Sequence, residues 1–328
     1  MFEEVITILF EMFIVFIAAL LFVNAIEYLG CIFELGGSFV GAILSPLFTS
    51  LPEMIVFIVA VFFSGAATGE EIGIGTIFGQ PFMASSLSYG LVGIAVIIGF
   101  YLKRRNDLVL EVDRALILPY AVISVAFPLT VVPALLGFHR LFGLLFLLIY
   151  IAYTVSMYKS GMSEKIEEAG EPYMCVIIPN RKFGGVLQLI AAVILLYYGS
   201  HGLVNSVDAV SREIGISALG LALIIIPAAT AIPETASALI WSYRGRDTLS
   251  IASLIGEKVL YSTFYPGIGL LVTSWTLDIH AYLSVLGTTV ISLILLYFVT
   301  RQRIPWWGLM FGFFFFIGYS ILIFIYHI

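Results

Sequence analysis

Long runs of apolar residues, separated by short stretches rich in charged residues, Gly and Pro, follow one another along the whole chain. Each run is long enough to cross a bilayer, since a transmembrane helix needs about 20 predominantly apolar residues. The pattern predicts ten membrane-spanning helices, at residues 5–27, 38–64, 71–101, 112–131, 136–158, 184–209, 216–243, 248–274, 279–300 and 305–327. The expected fold is therefore an all-α membrane protein.

The composition agrees with a chain whose main partner is the lipid bilayer. Of the 328 residues, 61% are hydrophobic and only 11% are charged, and the mean hydropathy is +1.10. A soluble domain carries about 25% charged residues, so this chain has too few to cover a water-exposed surface. The two cysteines, Cys31 and Cys175, lack the spacing of a metal site and cannot form a disulfide framework. We expect no cofactor and no nucleic-acid partner, and the sequence leaves a monomer or an oligomer open.

The distribution of basic residues predicts the orientation of the helices. Twelve of the 15 Lys and Arg residues follow the third, fifth, seventh and ninth predicted spans. They are Lys103, Arg104, Arg105, Arg114, Lys159, Lys165, Arg181, Lys182, Arg244, Arg246, Arg301 and Arg303. Since loops rich in Lys and Arg face the cytoplasm, we expect a multi-pass plasma-membrane protein with both termini on the extracytoplasmic side.

The chain contains an internal repeat. Residues 46–53, PLFTSLPE, recur 181 positions later as PAATAIPE at 227–234. A second pair, 74–90 and 251–267, aligns at an offset of 177, which places Gln80 opposite Glu257. The copies are separated by an odd number of predicted spans, so they cross the membrane in opposite directions. Inverted repeats of this kind are typical of secondary transporters.

The repeat predicts the domain organisation. We expect two inverted five-helix repeats joined by a cytoplasmic linker, with the motif that the repeats share on the second and third helices of each. The predicted boundaries are 1–158 for the first repeat with its motif at about 38–98, 159–183 for the linker, and 184–328 for the second repeat with its motif at about 216–274.

The repeated motif carries acidic and hydroxyl side chains inside apolar runs. Glu53 and Glu234 lie well within predicted spans, where a carboxylate costs about 2.5–3.5 kcal/mol on insertion scales and usually marks an ion or proton pathway. Thr49, Ser50 and Thr230 add hydroxyl groups one turn away. The alternative for either glutamate is a protonated side chain that hydrogen-bonds a neighbouring helix, but the recurrence of the whole motif favours a cation site.

The prolines of the motif supply further oxygen ligands. A proline within a helix leaves the carbonyl group four residues earlier without its N–H partner. Pro52 would free the carbonyl of Phe48, and Pro233 would free that of Ala229. Carboxylates, hydroxyls and free carbonyls together make an all-oxygen site for a hard cation such as Ca²⁺, which takes about six to eight oxygens. A kink that serves packing alone is the alternative for each single proline.

These residues resemble a known family. Thr49-Ser50-Leu51-Pro52-Glu53 matches the G-T-S-L-P-E-like stretch of the Ca²⁺/cation antiporter superfamily, which includes Na⁺/Ca²⁺ and H⁺/Ca²⁺ exchangers, and residues 230–234 match it more loosely. The resemblance implies a sodium/calcium exchanger-like fold of ten helices in two inverted fives. It also implies alternating access, with the metal ion bound between Glu53 and Glu234 and with Thr49, Ser50 and Thr230 beside it.

The second motif pair departs from the family pattern, which usually reads G-N-x-x-G-S-N-x-x-[ND]. Gln80 and Glu257 replace its Ser, while Ala84 and Tyr261 stand where its last ligand is expected. We include Gln80 and Glu257 among the predicted cation-binding residues, because Glu257 brings a carboxylate that the family pattern lacks.

Lys258 is a cation within a predicted span. It either forms a salt bridge with Glu257 or Glu234, or it acts as a tethered cation that occupies one ion position permanently. Gly79 and Gly256 are expected to permit close helix crossing.

The leading hypothesis is a secondary antiporter, and not an enzyme, that exchanges a divalent cation, foremost Ca²⁺, for Na⁺ or H⁺. A first alternative is an intramembrane enzyme of the lipid-pyrophosphate phosphatase type, which also combines inverted repeats with buried glutamates. Such an enzyme needs an arginine clamp for phosphate, and no arginine lies within a span beside either motif. A second alternative is a transport-inactive membrane scaffold.

Overall fold

A computed structural model describes residues 2–32, 47, 49–159, 170–178 and 180–326 of the chain. Almost all of this part is helical. The α-helices are α1 Phe2–Ile32, α2 Leu51–Ile58, α3 Gly69–Met83, α4 Tyr89–Tyr101, α5 Ile117–Leu129, α6 Val132–Leu136, α7 His139–Lys159, α8 Arg181–Ile214, α9 Ala218–Thr230, α10 Ile232–Tyr243, α11 Asp247–Ser262, α12 Phe264–Val272, α13 Ile279–Thr300 and α14 Trp306–Phe324. Short 3₁₀ turns cover Arg114–Leu116 and Tyr173–Val176, and π-helical turns cover Val59–Phe63 and Ala84–Ser88.

The described residues contain seven helical segments that are long and apolar enough to cross a membrane, or eight if α9 and α10 count as one bent span. The expected count of ten is therefore not reproduced, and the difference has two sources. The first half of the second predicted span lies outside the described residues. The eighth predicted span is divided at Thr263 into α11 and α12, and neither part is long enough by itself.

The repeated motifs coincide with helix starts. Helix α2 begins at Leu51 with Pro52 in its first turn, and α10 begins at Ile232 with Pro233 in its first turn. Proline is favoured at the first helical positions because its missing N–H would have no partner there. Helices α9 and α10 meet at an angle of 62°. Each glutamate thus lies in the first turn of a half-helix, where the helix dipole is positive.

The second motif pair is also irregular at equivalent positions. The π-helical turn at Ala84–Ser88 interrupts the path from α3 to α4, and the break at Thr263 separates α11 from α12. With the offset of 177, residues 84–88 align with residues 261–265. Both copies therefore leave regular α-helical geometry at the same place in the repeat.

Glycine lets α3 and α9 approach closely. A Cβ atom at Gly79 would lie 2.7 Å from the carbonyl oxygen of Leu223 and 2.7 Å from Cγ of Pro227. The expectation that Gly79 permits close crossing is confirmed. Around this contact, α1 packs along α8, α5 along α13, α7 along α12 and α4 along α14.

The fold is not purely helical. Strands β1 Val109–Glu111 and β2 Arg303–Pro305 pair antiparallel, with Leu110 opposite Ile304. We call the end of the bundle that carries this ribbon, together with Arg105 and Arg244, the arginine-rich end. Here the buried guanidinium of Arg105 forms an ion pair with Asp247 at 3.1 Å and donates to the carbonyl of Ser242 at 2.9 Å. These contacts tie the loop after α4 to the facing ends of α10 and α11.

Candidate cation site

Two buried carboxylates form the centre of the candidate site. Glu53, in the first turn of α2, is 2% exposed, and Glu257, on α11, is 4% exposed. The two carboxylates lie within electrostatic range of each other. Two like charges in a buried position repel each other strongly unless a cation or a proton compensates them. The structure therefore brings together one residue of the first motif and one residue of the second motif pair.

Neutral oxygens from both repeats surround these carboxylates. The amide of Gln80 donates from Nε2 to Oε2 of Glu257 at 2.8 Å, and the hydroxyl of Thr49 lies within hydrogen-bonding reach of Glu257. The hydroxyl of Thr230 donates to the carbonyl of Ile226 at 3.1 Å and lies beside Glu53. A hydroxyl that gives its hydrogen to the backbone keeps its lone pairs available for a cation.

Several oxygens of this cluster are buried without a hydrogen-bond partner among the described residues. They are Oε2 of Glu53, Oε1 of Glu257, Oε1 of Gln80 and the hydroxyl of Tyr261. An unsatisfied buried polar group costs about 1–3 kcal/mol, and such groups are rare in folded proteins without a functional reason. All four are oxygen atoms with free lone pairs, so a bound cation would compensate each of them.

Tyr261 is a member of the cluster that the sequence did not predict. Its side chain is 1% exposed and lies within electrostatic range of Glu53, Glu234 and Glu257. The sequence comparison treated this position as one where a ligand had been lost. Tyr261 aligns with the last ligand of the family pattern, and this alignment could have indicated a place in the site. It gave no reason to expect that a tyrosine hydroxyl would take the place of the usual Asn or Asp.

Ser50 is engaged in a structural contact. Its hydroxyl is 2.6 Å from the hydroxyl of Tyr265, and the Tyr265 hydroxyl also donates to the Ser50 carbonyl at 3.0 Å. The ring of Tyr265 lies 4.4 Å from that of Tyr261. Tyr265 thus fixes the start of α2 and supports Tyr261, while Ser50 holds this contact in addition to its predicted place near the ion.

Glu234 and Ala229 lie at the break between α9 and α10. Glu234 is in the first turn of α10 and is partly buried. Ala229 is buried, and its carbonyl has no helical N–H partner four residues later because Pro233 occupies that position. The other predicted carbonyl ligand, Phe48, lies outside the described residues.

No group of three or more His, Cys, Asp and Glu side chains converges on one metal-binding point within the part of the chain that the structure describes. A cation at the Glu53–Glu257 pair would therefore be bound by two carboxylates together with the neutral oxygens of Gln80, Thr49, Thr230 and Tyr261. Hard cations accept such mixed carboxylate and neutral-oxygen ligand sets.

Lys258 points away from the carboxylates. Its Nζ atom is 3.2 Å from the Ser292 hydroxyl and lies 4.9 Å and 5.7 Å from the ring centres of Tyr89 and Tyr120. It forms no ion pair with a described carboxylate. The salt-bridge alternative for Lys258 is thus not realised, because successive positions on a helix point about 100° apart and Glu257 faces the site.

Comparison with protein families gives a match over nearly the whole chain. The family model described as "Sodium/calcium exchanger protein" matches residues 4–159 and 184–325. Among curated proteins, CaxA of Alkalimonas amylolytica, an antiporter by name, is 27% identical over 193 residues. That alignment spans 54% of this chain and 60% of the relative.

Solved structures share the fold. The crystal structure of an H⁺/Ca²⁺ exchanger, CAX, matches with a TM-score of 0.76 at 20% identity, covering 97% of this chain and 82% of that one. The sodium-calcium exchanger NCX_Mj matches with a TM-score of 0.59 at 19% identity and covers 98% of both chains. YfkE matches with a TM-score of 0.61 at 16% identity, over 94% of this chain and 87% of its own.

Proposed function

Since the chain belongs to the sodium/calcium exchanger protein family, we propose that it is a secondary active antiporter that exchanges a divalent cation for Na⁺ or H⁺ by alternating access. Ca²⁺ is the cargo we propose, because the solved relatives are named as H⁺/Ca²⁺ and sodium-calcium exchangers. Carboxylates serve either counter-ion, since a glutamate can bind Na⁺ or accept a proton.

The observation that carries this proposal is the buried pair of Glu53 and Glu257, in which each carboxylate has one oxygen without a hydrogen-bond partner among the described residues. Two negative charges balance one divalent cation, and the surrounding neutral oxygens complete an oxygen-only ligand set. Glu234 is the third acidic member, and its position in the first turn of the half-helix α10 would let it join or leave the ion as that half-helix moves.

We further propose the arrangement of ten spans as two inverted fives, with repeats at 1–158 and 184–328 and a cytoplasmic linker between them. The separate matches of the family model to 4–159 and 184–325 support it. So does the packing, because α1 on α8 and α5 on α13 each join helices at equivalent places in the two halves. In this arrangement the arginine-rich end is cytoplasmic, both termini are extracytoplasmic, and the membrane is the plasma membrane.

The two alternatives receive less support. The family consists of exchangers, so a lipid-pyrophosphate phosphatase is not favoured. A transport-inactive scaffold would have no use for four buried oxygens without a described partner, two of them on carboxylates, because apolar side chains in their place would be more stable.

Transport by purified protein in proteoliposomes tests the proposal. We expect uptake of radioactive calcium driven by an outward Na⁺ gradient or by a pH gradient, and the two gradients applied separately identify the counter-ion. Glu53→Gln and Glu234→Gln should each abolish uptake. Glu111→Gln, which changes an exposed carboxylate on the ribbon, is the matched control and should transport normally. Unchanged uptake in both site variants would contradict the site assignment.

A further inference from the structure

An apolar groove lies between α4 and α10 near the arginine-rich end. Its volume is about 400 Å³, and its lining consists of Ala95 and Ile98 from α4 and of Leu239, Ile240 and Tyr243 from α10, with Arg244 at one end. Ile98 is 47% exposed and Ile240 is 50% exposed. These exposed apolar side chains lie on helices that we treat as membrane-spanning, so the groove faces the lipid.

The same arginine also lines a second, polar cavity. This cavity has a volume of about 660 Å³ and lies between the loop after α4 and the loop between α10 and α11. Its lining includes Arg104, Arg105, Arg244 and Arg246. Arg244 is shared by both spaces, so an apolar groove continues into a basic cavity at a single side chain.

Two of these arginines carry charges that the described part of the protein does not neutralise. Arg104 and Arg244 are exposed and form no ion pair with any described residue. Among the other charged residues of the lining, Arg105 is paired with Asp247. Asp107 and Glu111 are exposed and add two negative charges, against the positive charges of Arg104, Arg244 and Arg246.

We propose that this composite space binds an anionic phospholipid. Its acyl chain would fill the groove between α4 and α10, and its phosphate group would lie between Arg244 and Arg104. The space matches a phospholipid along its length, because an apolar groove suited to an acyl chain ends at an arginine and is followed by a basic cavity suited to a phosphate group. Basic pockets between membrane helices at the cytoplasmic surface bind anionic lipid headgroups in this way.

Such a lipid would contact the half-helix that carries Glu234. Helix α10 is held to the first repeat at its start by the contact between Thr235 and Ser88, whose hydroxyl oxygens are 2.8 Å apart. Near its end, α10 crosses α4 closely, and a Cβ atom at Gly99 would lie 2.7 Å from the carbonyl oxygen of Tyr243. A lipid bound between α4 and α10 would contact both helices and would stabilise one position of α10.

Native mass spectrometry of the full-length protein tests the binding directly, without any transported ion. The protein is reconstituted in vesicles of phosphatidylcholine mixed equally with phosphatidylglycerol, extracted in mild detergent and examined for retained phosphatidylglycerol. We expect Arg244→Gln to retain about fivefold less of this lipid than the unmodified protein. Ala95→Phe fills the groove without changing any charge and should lower retention similarly.

The control is Arg301→Gln, which removes an exposed arginine from the same end of the bundle, where it stacks on Tyr297. Retention equal to that of the unmodified protein in this variant supports the site. An equal loss in Arg301→Gln would mean that surface charge alone recruits the lipid and would overturn the proposal. Displacement of the lipid by glycerol phosphate, together with normal retention in Ala95→Phe, would show a headgroup site only and would overturn it too. The readout does not depend on transport, so its failure leaves the proposed antiport untouched.

Discussion

Gln80 donates a hydrogen bond of 2.8 Å to Glu257. The two residues are 177 positions apart and align with each other in the internal repeat. In an arrangement related by a two-fold axis, only residues close to that axis contact their own counterparts. In the proposed arrangement of two inverted repeats, the axis between them would therefore pass beside this hydrogen bond. One position is an amide and the other is a carboxylate, so the pair attracts where two glutamates would repel.

Gln80→Glu tests this asymmetry. Replacing the amide with a second carboxylate removes the donor and adds a negative charge next to Glu257. We expect a lower melting temperature in the absence of divalent cations and a larger stabilisation when Ca²⁺ is added, because the ion then neutralises one more buried charge. Thermal unfolding in detergent across a Ca²⁺ titration measures both effects. Gln80→Met, which removes the hydrogen bond without adding charge, should lose the Ca²⁺-dependent gain.

Tyr261 and Tyr265 form a matched pair for separating ligand from support. Tyr261→Phe removes a buried hydroxyl that has no partner among the described residues, so the protein should keep or increase its stability while its cation affinity falls. Tyr265→Phe removes the hydrogen bonds to Ser50 and should cost about 1–2 kcal/mol of unfolding free energy. Unfolding and cation binding are measured on both variants. Equal destabilisation in the two would refute the distinction.

Alanine should destabilise the protein at Gly79, where α3 crosses α9, and stabilise it at Gly318 on α14, where there is open space. Gly79→Ala would place a methyl group 2.7 Å from backbone and ring atoms of α9, so the helices must separate, at a cost of about 1–3 kcal/mol. Gly318→Ala has no atom within 4 Å and should stabilise its helix by about 0.5–1 kcal/mol. Melting temperatures of the two variants should move in opposite directions.

Lys258→Met tests whether this lysine has a carboxylate partner. The structure surrounds the ammonium with two aromatic rings and one hydroxyl, and with no described carboxylate. A buried charge without a counter-charge is costly, so methionine, of similar length, should leave the melting temperature unchanged or raise it. A fall of the size expected for a broken buried ion pair, about 3–5 kcal/mol, would indicate a carboxylate partner after all.

The sequence predicted those features of the site that depend on local chemistry. Proline restricts its own helix, so the starts of α2 and α10 beside Pro52 and Pro233 could be expected from the repeat alone. The burial of Glu53 followed from its place in an apolar run. Family resemblance supplied the overall fold, which the structural matches support independently.

Other features depend on contacts between distant segments and gave no signal in the sequence. The surroundings of Lys258, which are two aromatic rings and one hydroxyl, come from three different helices. The short ribbon between β1 and β2 joins loops almost 200 residues apart. Whether Tyr261 turned its hydroxyl toward the carboxylates or toward lipid depended on helix rotation, which periodicity does not determine.

The central claim is that Glu53 and Glu257 bind one cation together, and equilibrium Ca²⁺ binding to the purified protein tests it most directly. Isothermal titration calorimetry should give one saturable site in the unmodified protein and in the exposed control variant Glu111→Gln. Glu53→Gln and Glu257→Gln should each weaken binding by at least about tenfold, or about 1.4 kcal/mol. Binding of normal affinity in both of these variants would contradict a shared site.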